Sequence, residues 1–337
     1  MFSLPLNPFL SKQDFTGIYL PFLKQYKHLL DDIYFTCRIP PFTQDAMGMV
    51  IDEKEDKSKL IKQALYIQQE TGVAVNAVFN SPAVSPDLAN LELFIKHFQP
   101  LYREGIHRIT MIQAHWVSTL KHHFPRCHFK SSVVRPVDNA QNFVDYALLG
   151  YDVVQIDRHL MRHQAELKNM AKARSKLQAQ QGITVDICLL ATEQCRGLCP
   201  VREEHYLYNV HRQDPDSPTY MASTLCQQIS CHQWQDQDPA YRLKVCDLPP
   251  WKKDWDRLLQ YVQTFKLHGR DDIGLLMNSL RIIKNFDNNA EVLDEIKYQF
   301  LSEHGIKGKK KQQWLKKIAN CQSQCWNCNL CDVLMEY

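Results

Sequence analysis

The sequence predicts an α/β fold: a TIM-like (β/α) barrel with a cysteine-rich C-terminal extension. Short apolar runs rich in β-branched residues alternate with helix-like segments, and this alternation repeats about seven times. Strands that are each followed by a helix form right-handed βαβ units and a parallel sheet. A doubly wound open sheet is the alternative, but no GxGxxG or GxxxxGK turn follows the first predicted strand and only 11 glycines are present.

The individual elements follow from the same pattern. The predicted strands are runs rich in Val, Ile, Phe, Tyr and Thr, at residues 32–37, 73–79, 106–112, 129–134, 151–156, 183–190 and 264–267. The predicted helices lie at residues 57–70, 88–104, 139–149 and 160–181. We expect the barrel to span residues 1–285 with a cysteine-rich insertion at 191–250. A helical, basic and cysteine-rich extension then covers 286–337.

Composition places the chain among intracellular metal or redox proteins. It has 337 residues, 45% of them hydrophobic, 12 cysteines and a net charge of +3. The first residues, MFSLPLNPFLSKQDF, lack a basic segment followed by a long apolar run, and no stretch reaches the roughly 18 apolar residues of a membrane span. We therefore expect a cytoplasmic protein without a membrane span, whose cysteines serve metal or redox chemistry rather than disulfides.

The most concentrated group of cysteines stands near residue 337. The run CQSQCWNCNLC contains Cys321, Cys325, Cys328 and Cys331. Four thiolates at this spacing can bind one iron–sulfur cluster or one tetrahedral zinc ion. The first three also match the CxxxCxxC spacing of radical S-adenosylmethionine enzymes, but there the motif follows the first barrel strand. We interpret the tail as an auxiliary [4Fe-4S] site, with zinc as the alternative.

A second group of cysteines lies in the middle of the chain. It consists of Cys195, Cys199, Cys226 and Cys231, in the segments TEQCRGLCPVREEHY and TLCQQISC. The first pair directly follows the predicted strand 183–190, where Gly197 allows a tight turn. Cys246 and Cys37 each end an apolar run and remain possible ligands, whereas Cys188 and Cys127 are predicted to be buried core thiols.

Three motifs between residues 153 and 270 resemble, in order, the collagenase-like peptidase family U32. They are VVQIDRHL with VDICLLATEQCRGLC, then LCQQISC, then KVCDLPPWKKDWDRLLQYVQTFKLHGR. The last segment is similar to the family's Lys-Ile-Glu-Gly-Arg strand, with His268 in place of Glu. The resemblance is strongest to the iron–sulfur, oxygen-independent hydroxylase-like members.

The resemblance implies a barrel enzyme with a [4Fe-4S] cluster that hydroxylates or otherwise modifies a biosynthetic intermediate or an RNA base without oxygen. It implies Cys195, Cys199 and Cys226 as ligands, with the fourth left open among Cys231, Cys246 and Cys37. Together with the tail, two clusters are expected. The alternatives are a non-catalytic electron-transfer or partner subunit, or a peptidase, although no HExxH or GxSxG motif is present.

Candidate catalytic groups are cations and imidazoles near the expected strand ends. Arg135 and Arg270 could grip a carboxylate substrate such as prephenate, because guanidinium groups bind carboxylates through two hydrogen bonds. His205, six residues after Cys199, could act as an acid or base. The lysine-rich segment 307–317 around Trp314 could contact RNA phosphates or be a solvated linker. A related protein partner is also possible.

Overall fold

The structure is a computed structural model that describes residues 1–46, 58–193, 195, 197, 199–211, 237–245, 249, 252–292, 295–318 and 321–335. Its centre is a closed barrel of parallel strands in the order β1 to β8. The strands are β1 Phe2–Pro5, β2 Leu30–Thr36, β3 Ala74–Phe79, β4 Arg108–Met111, β5 His128–Ser131, β6 Val153–Ile156, β7 Asp186–Leu190 and β8 Thr264–Lys266. The predicted TIM-like barrel is therefore confirmed.

Strand β1 closes the barrel. It pairs with β2 through Ser3 and Asp32 and with β8 through Phe2 and Phe265. All seven strands predicted from sequence are found as β2 to β8, whereas β1 was not predicted. A four-residue strand that ends in proline gives almost no periodic signal, because period-two alternation needs more residues to stand out.

Helices surround the strands. Numbered in chain order among the described residues, they are α1 Lys12–Asp14, α2 Leu20–Tyr26, α3 Lys59–Thr71, α4 Leu88–Arg103, α5 Val117–His123, α6 Ala140–Leu148, α7 Gln164–Gln181, α8 Arg202–His211, α9 Tyr241–Lys244, α10 Lys252–Leu259, α11 Ile273–Asp287, α12 Glu295–Glu303, α13 Gly308–Ile318 and α14 Leu330–Met335. The four predicted helices correspond to α3, α4, α6 and α7. None of the helices described is long and apolar enough to cross a membrane.

The segment between β6 and α7 differs from the prediction in a way that matters for the site. A helix was expected from residue 160, but Arg158–Arg162 forms a 3-10 turn and α7 begins only at Gln164. The Asp157 carboxylate caps this turn by accepting a hydrogen bond from the His159 backbone N–H, 3.1 Å away. We call this segment, residues 157–163, the β6 loop.

The main apolar core lies between the outer faces of the strands and the helices. On β2, Ile33 and Phe35 belong to this core, whereas Asp32 contacts residues of other strands inside the barrel. This alternation is the period of two expected for a strand. The barrel interior is consequently polar.

A second, smaller apolar cluster stabilises the C-terminal extension. Its buried members are Leu243, Leu301, Ile306, Trp314 and Leu315, and Cys331 and Leu334 pack against it. Because Leu243 belongs to α9, this cluster joins the segment before β8 to the helices that follow the barrel. The tail cysteines are therefore held on a packed surface.

Candidate functional site

A network of hydrogen-bonded charged and polar side chains lies inside the barrel. Asp32 on β2 accepts hydrogen bonds from Ser3, from Asn76 Nδ2 at 2.8 Å and from Lys130 Nζ at 2.6 Å. Burial by itself would raise the pKa of Asp32, but Lys130 and Arg108 outweigh it and lower that pKa to about 2. Asp32 and Lys130 therefore form a buried ion pair whose charges are satisfied.

Two buried cations, Lys266 and Arg270, lie at the mouth of the barrel. The Lys266 ammonium lies 4.2 Å from the centre of the Tyr34 ring, and within the described residues it has no ion-pair partner. Arg270 Nη2 lies 3.8 Å from Asp45 Oδ1, but Asp45 is also held by Arg38 at 3.1 Å. Burial first, and then the charges of Arg270 and Lys130, lower the pKa of Lys266 to about 7.

Several buried polar atoms near these cations lack hydrogen-bond partners in the described part of the chain. They are both side-chain amide atoms of Gln155, Nη1 of Arg270 and Oγ1 of Thr36. Gln155 is completely buried, and it is in register with Cys188 on β7. Buried polar groups are normally satisfied, so unpaired ones at a barrel mouth indicate a place for a polar ligand.

The β6 loop organises a second cluster of charges. Asp157 accepts hydrogen bonds from His159 Nδ1 at 2.8 Å and from Arg202 of α8. Despite burial, these partners hold the pKa of Asp157 well below its usual range. Arg158 pairs with Glu193 and donates to the Tyr206 hydroxyl at 3.0 Å. The loop after β6 and the start of α8 are thus fixed to each other.

Cys195 lies against this cluster. Burial would raise the pKa of its thiol, but the Arg158 guanidinium and a hydrogen bond from the Gly197 N–H at 3.4 Å leave that pKa below its ordinary value. Gly197 has φ +69°, and a methyl group there would overlap the Asp157 carboxylate and lie 3.0 Å from Arg158 Cγ. Only glycine can bring the backbone this close to Asp157 and Arg158, and this close packing places Cys195 beside Arg158.

The four tail cysteines line one small cavity. The cavity has a volume of about 30 Å³ and is lined by Cys321, Cys325, Cys328 and Cys331 together with Arg162, Lys244, Trp314, Ile318, Gln324 and Leu330. Its two cations come from outside the tail, Arg162 from the β6 loop and Lys244 from α9. Among the described residues, no three His, Cys, Asp or Glu side chains are gathered closely enough to hold a single metal ion.

Long-range contacts dock the tail on the barrel. Arg162 Nη1 lies 3.8 Å from Cys321 Sγ, and its other nitrogen donates to the Val245 carbonyl. Lys244 Nζ donates to Asp332 Oδ1 at 2.6 Å. The tail is therefore attached to the same loop that holds Cys195.

Other predicted site residues lie elsewhere. Arg135 is about half exposed and pairs with Glu203 of α8 at 3.1 Å, and no described contact joins it to Arg270. His205 lies on the exposed side of α8, while its neighbour Tyr206 faces the protein. Cys199 precedes α8, and burial raises the pKa of its thiol. Of the predicted catalytic groups, only Arg270 lies buried at the mouth.

The remaining cysteines divide into two sets. Cys226, Cys231 and Cys246 lie outside the described residues, so the fourth ligand of the middle site stays a prediction. Cys188 and Cys127 are buried as predicted. Cys37 is also buried in the apolar core, and this burial raises its pKa strongly.

The lysine-rich segment 307–317 contains most of α13, and its aromatic residue is not exposed. Trp314 is buried in the smaller apolar cluster, whereas Lys316 and Lys317 are exposed. The two lysines border a shallow cavity of about 630 Å³ together with Leu330 and Leu334. The stacking partner expected for RNA is therefore turned inward.

Sequence reasoning missed the groups inside the barrel. Asp32, Lys130 and Gln155 were treated as parts of strands and not as site residues. Their signal was a charged or amide residue within an otherwise apolar strand, which in a closed barrel faces the interior. Asp45 was missed because its pairing with Arg270 joins residues far apart in sequence.

Comparison with known proteins adds a fold-level likeness. No family model matches the chain, and no curated protein does. A solved U32 peptidase is similar over 65% of this chain and 83% of its own, with 12% identity and a TM-score of 0.46. A putative fructose-1,6-bisphosphate aldolase from Coccidioides immitis matches 99% of this chain and 89% of its own, at 9% identity and a TM-score of 0.41. The O-GlcNAc hydrolase of Thermobaculum terrenum, as a mutant, covers 98% and 81%, at 10% identity and a TM-score of 0.40.

Proposed function

We propose that the protein is an iron–sulfur barrel enzyme of the U32-like type that carries out oxygen-independent hydroxylation or a related modification of a carboxylate-bearing intermediate or an RNA base. In this proposal Cys321, Cys325, Cys328 and Cys331 hold one [4Fe-4S] cluster. Cys195 and Cys199 contribute to a second, with Cys226 and Cys231 or an alternative fourth ligand. A bound cluster would supply single-electron transfer.

One observation carries the proposal: four thiols and two cations, Arg162 and Lys244, line one cavity. A cluster on four thiolates is net negative, so cations on the cavity wall favour the bound cluster. The four thiols are the donor type that such a cluster binds, although no three of the described side chains are gathered closely enough to hold a metal ion. Zinc is the alternative at this site, since four thiolates also suit zinc.

The middle site is supported by the surroundings of Cys195. Arg158 keeps this thiol toward the thiolate form, which is the form that binds a metal. The Arg158 guanidinium is held in turn by Glu193 and by the Tyr206 hydroxyl. Such outer contacts orient a ligand before the metal arrives.

Substrate binding is assigned to the barrel mouth. Arg270 is 4% exposed, and its Nη1 has no hydrogen-bond partner within the part of the chain that the structure describes, so it can donate to a carboxylate where water is excluded. Arg135, on the surface beside Glu203, would attract anions from outside the mouth. His205 would act on protons at the outer edge of α8.

A second candidate is a non-catalytic electron-transfer subunit. Cys328 is exposed and the neighbouring Trp326 is 85% exposed, so a tail centre would lie at the surface where a partner could exchange electrons. A peptidase is a third candidate function, and hydrolysis of unstructured peptides by the purified protein would support it.

The test is purification without oxygen, followed by iron, sulfide and zinc analysis and spin-resonance spectroscopy. We expect about eight irons and eight sulfides per chain. Replacing the four tail cysteines by serine should remove half of the iron, and Cys195→Ser with Cys199→Ser should remove the other half. Cys127→Ala, at a thiol apart from both groups, is the control.

Two results would overturn this assignment. A colourless, iron-free protein with zinc at the tail would replace the cluster by a structural ion. Complete loss of iron in the tail variant would mean a single centre. Full iron content with no turnover of any tested substrate, and reduction by a protein partner, would favour the electron-transfer subunit.

A further inference from the structure

We propose that Lys266 is an imine-forming amine for small carbonyl compounds of the 2-oxo acid class, and that Arg270 binds the carboxylate of the same molecule. This site shares Arg270 with the proposed function but needs no metal. It therefore deepens the proposed reaction if clusters are present and stands without them.

The position of Lys266 is the first argument. Its amine lies over the Tyr34 ring of β2, although β1 separates β8 from β2, so the side chain crosses the interior of the barrel. Tyr34 is fixed by the hydrogen bond from its hydroxyl to the Leu267 carbonyl, at 2.5 Å. Lys266 is thus the last residue of a barrel strand, at the end of the barrel where barrel enzymes bind their substrates.

The charges around the amine are the second argument. The groups that face it are Arg270, Lys130, Cys188, Asp32 and Tyr34. Asp32 is already neutralised by Lys130 and Arg108, and the Cys188 thiol has its pKa raised by burial to about 11, so neither supplies a counter-ion. Lys266 consequently holds a neutral amine in a large part of the molecules at pH 7, which is the nucleophilic form.

The unpaired atoms are the third argument. Among the described residues, Nη1 of Arg270 and the Gln155 side-chain amide are buried without hydrogen-bond partners. By strand register Gln155 matches Cys188, and Cys188 matches Thr264, two residues before Lys266. A guanidinium, an amide and an amine on one interior surface suit a small molecule with a carboxylate next to a carbonyl group.

The chemical step balances without another reagent. The nitrogen lone pair of the neutral amine attacks the carbonyl carbon, and the carbonyl π electrons move to oxygen, which takes a proton. Loss of this hydroxyl as water gives the imine, so amine and ketone yield imine and water. Nothing is oxidised or reduced.

The test traps the imine in the full-length protein with pyruvate as probe and cyanoborohydride as reductant, followed by peptide mapping. We expect one adduct at Lys266, none at that site in Lys266→Arg, and an unchanged adduct in the control Lys24→Arg. The labelling rate at Lys266 should level off above neutral pH. At exposed Lys24, whose pKa is raised by a hydrogen bond to Glu70, the rate should keep rising.

A second comparison isolates Arg270. Propanal has the carbonyl but no carboxylate, so Arg270→Met should lower the rate ratio of pyruvate to propanal by about tenfold. Any change in the basicity of Lys266 affects both probes and cancels in this ratio. An unchanged ratio overturns the role of Arg270.

Adducts spread over surface lysines in wild-type protein, with Lys266 unmodified, overturn the proposal whether or not the variants fold. Iron-free and iron-loaded protein are both tested. Trapping at Lys266 in protein that never binds iron would separate this site from a failed cluster assignment.

Discussion

Arg158 and Arg162 lie four residues apart in the β6 loop, and each contacts the sulfur of a different cysteine group. Arg158 hydrogen-bonds Cys195, and Arg162 Nη1 lies 3.8 Å from Cys321 Sγ. One short 3-10 turn therefore touches both proposed metal centres. Removing the charge of one arginine should therefore alter mainly the proposed metal centre whose cysteine it contacts.

Arg162→Met should lower the midpoint potential of the tail cluster. Removing a nearby positive charge disfavours the more negative, reduced state, and the expected shift is on the order of tens of millivolts. Redox titration followed by spin resonance measures it. The control is Arg126→Met, which also removes one positive charge, because Arg126 contacts the Tyr102 ring instead of a tail cysteine. An intact tail cluster with unchanged potential in Arg162→Met would contradict the contact with Cys321.

Gly197→Ala should destabilise the protein by about 2–4 kcal/mol, because a methyl group there meets Asp157 and Arg158 in a left-handed backbone. Gly72→Ala is a matched control, since Gly72 has φ +74° but nothing within 4 Å of the added methyl. It should cost only about 1 kcal/mol. Urea unfolding of both variants measures the difference, and equal losses would show that the approach to Asp157 is unimportant.

Lys130→Met should destabilise the barrel by about 3–5 kcal/mol, because it leaves the buried Asp32 carboxylate without its nearest cation. The double variant with Asp32→Asn should recover part of this loss. Denaturant unfolding of the two single variants and the double variant gives the coupling. Additive effects would mean that the pair does not interact.

Stability should fall as the pH drops from about 4 to about 2. Asp32 and Asp271 both have a pKa lowered to about 2 in the folded protein despite burial, Asp32 by Lys130 and Asp271 by His268, whose Nε2 lies 3.1 Å from Asp271 Oδ1. A lowered carboxyl pKa stabilises the fold above the unfolded value and loses this effect as protons bind, here about 2 kcal/mol for each group. Unfolding curves at stepwise lower pH test this. A flat profile across that range would contradict it.

Much of the fold could be predicted from local sequence. Strands such as 183–190 stand out because Val, Ile and Leu follow one another between polar segments, and helices such as α4 begin at a recognisable cap, Asp87. Strand β1 could not be predicted, because its four residues form a strand only through their pairing with β2 and β8. The late start of α7 was missed for a similar reason, because the Arg162 side chain contacts Cys321 of the distant tail.

The candidate site was predictable only in part. Cysteine spacing identified the tail group without any structure. Its docking on Arg162 joins residues 159 positions apart, and no local pattern encodes such a contact. Asp32 became a site residue only when the barrel closed and placed it on the inner face.

The closure of the barrel through β1 has a consequence for biosynthesis. Phe2 precedes its partner Phe265 by more than 250 residues in the chain, so the ring cannot close until β8 has been synthesised. Until then β1 has one unpaired edge, and β2 to β7 form an open, growing sheet. The Met1 nitrogen also donates a hydrogen bond to the Gln263 carbonyl across this seam, so the seam forms only after the segment leading into β8 has been made.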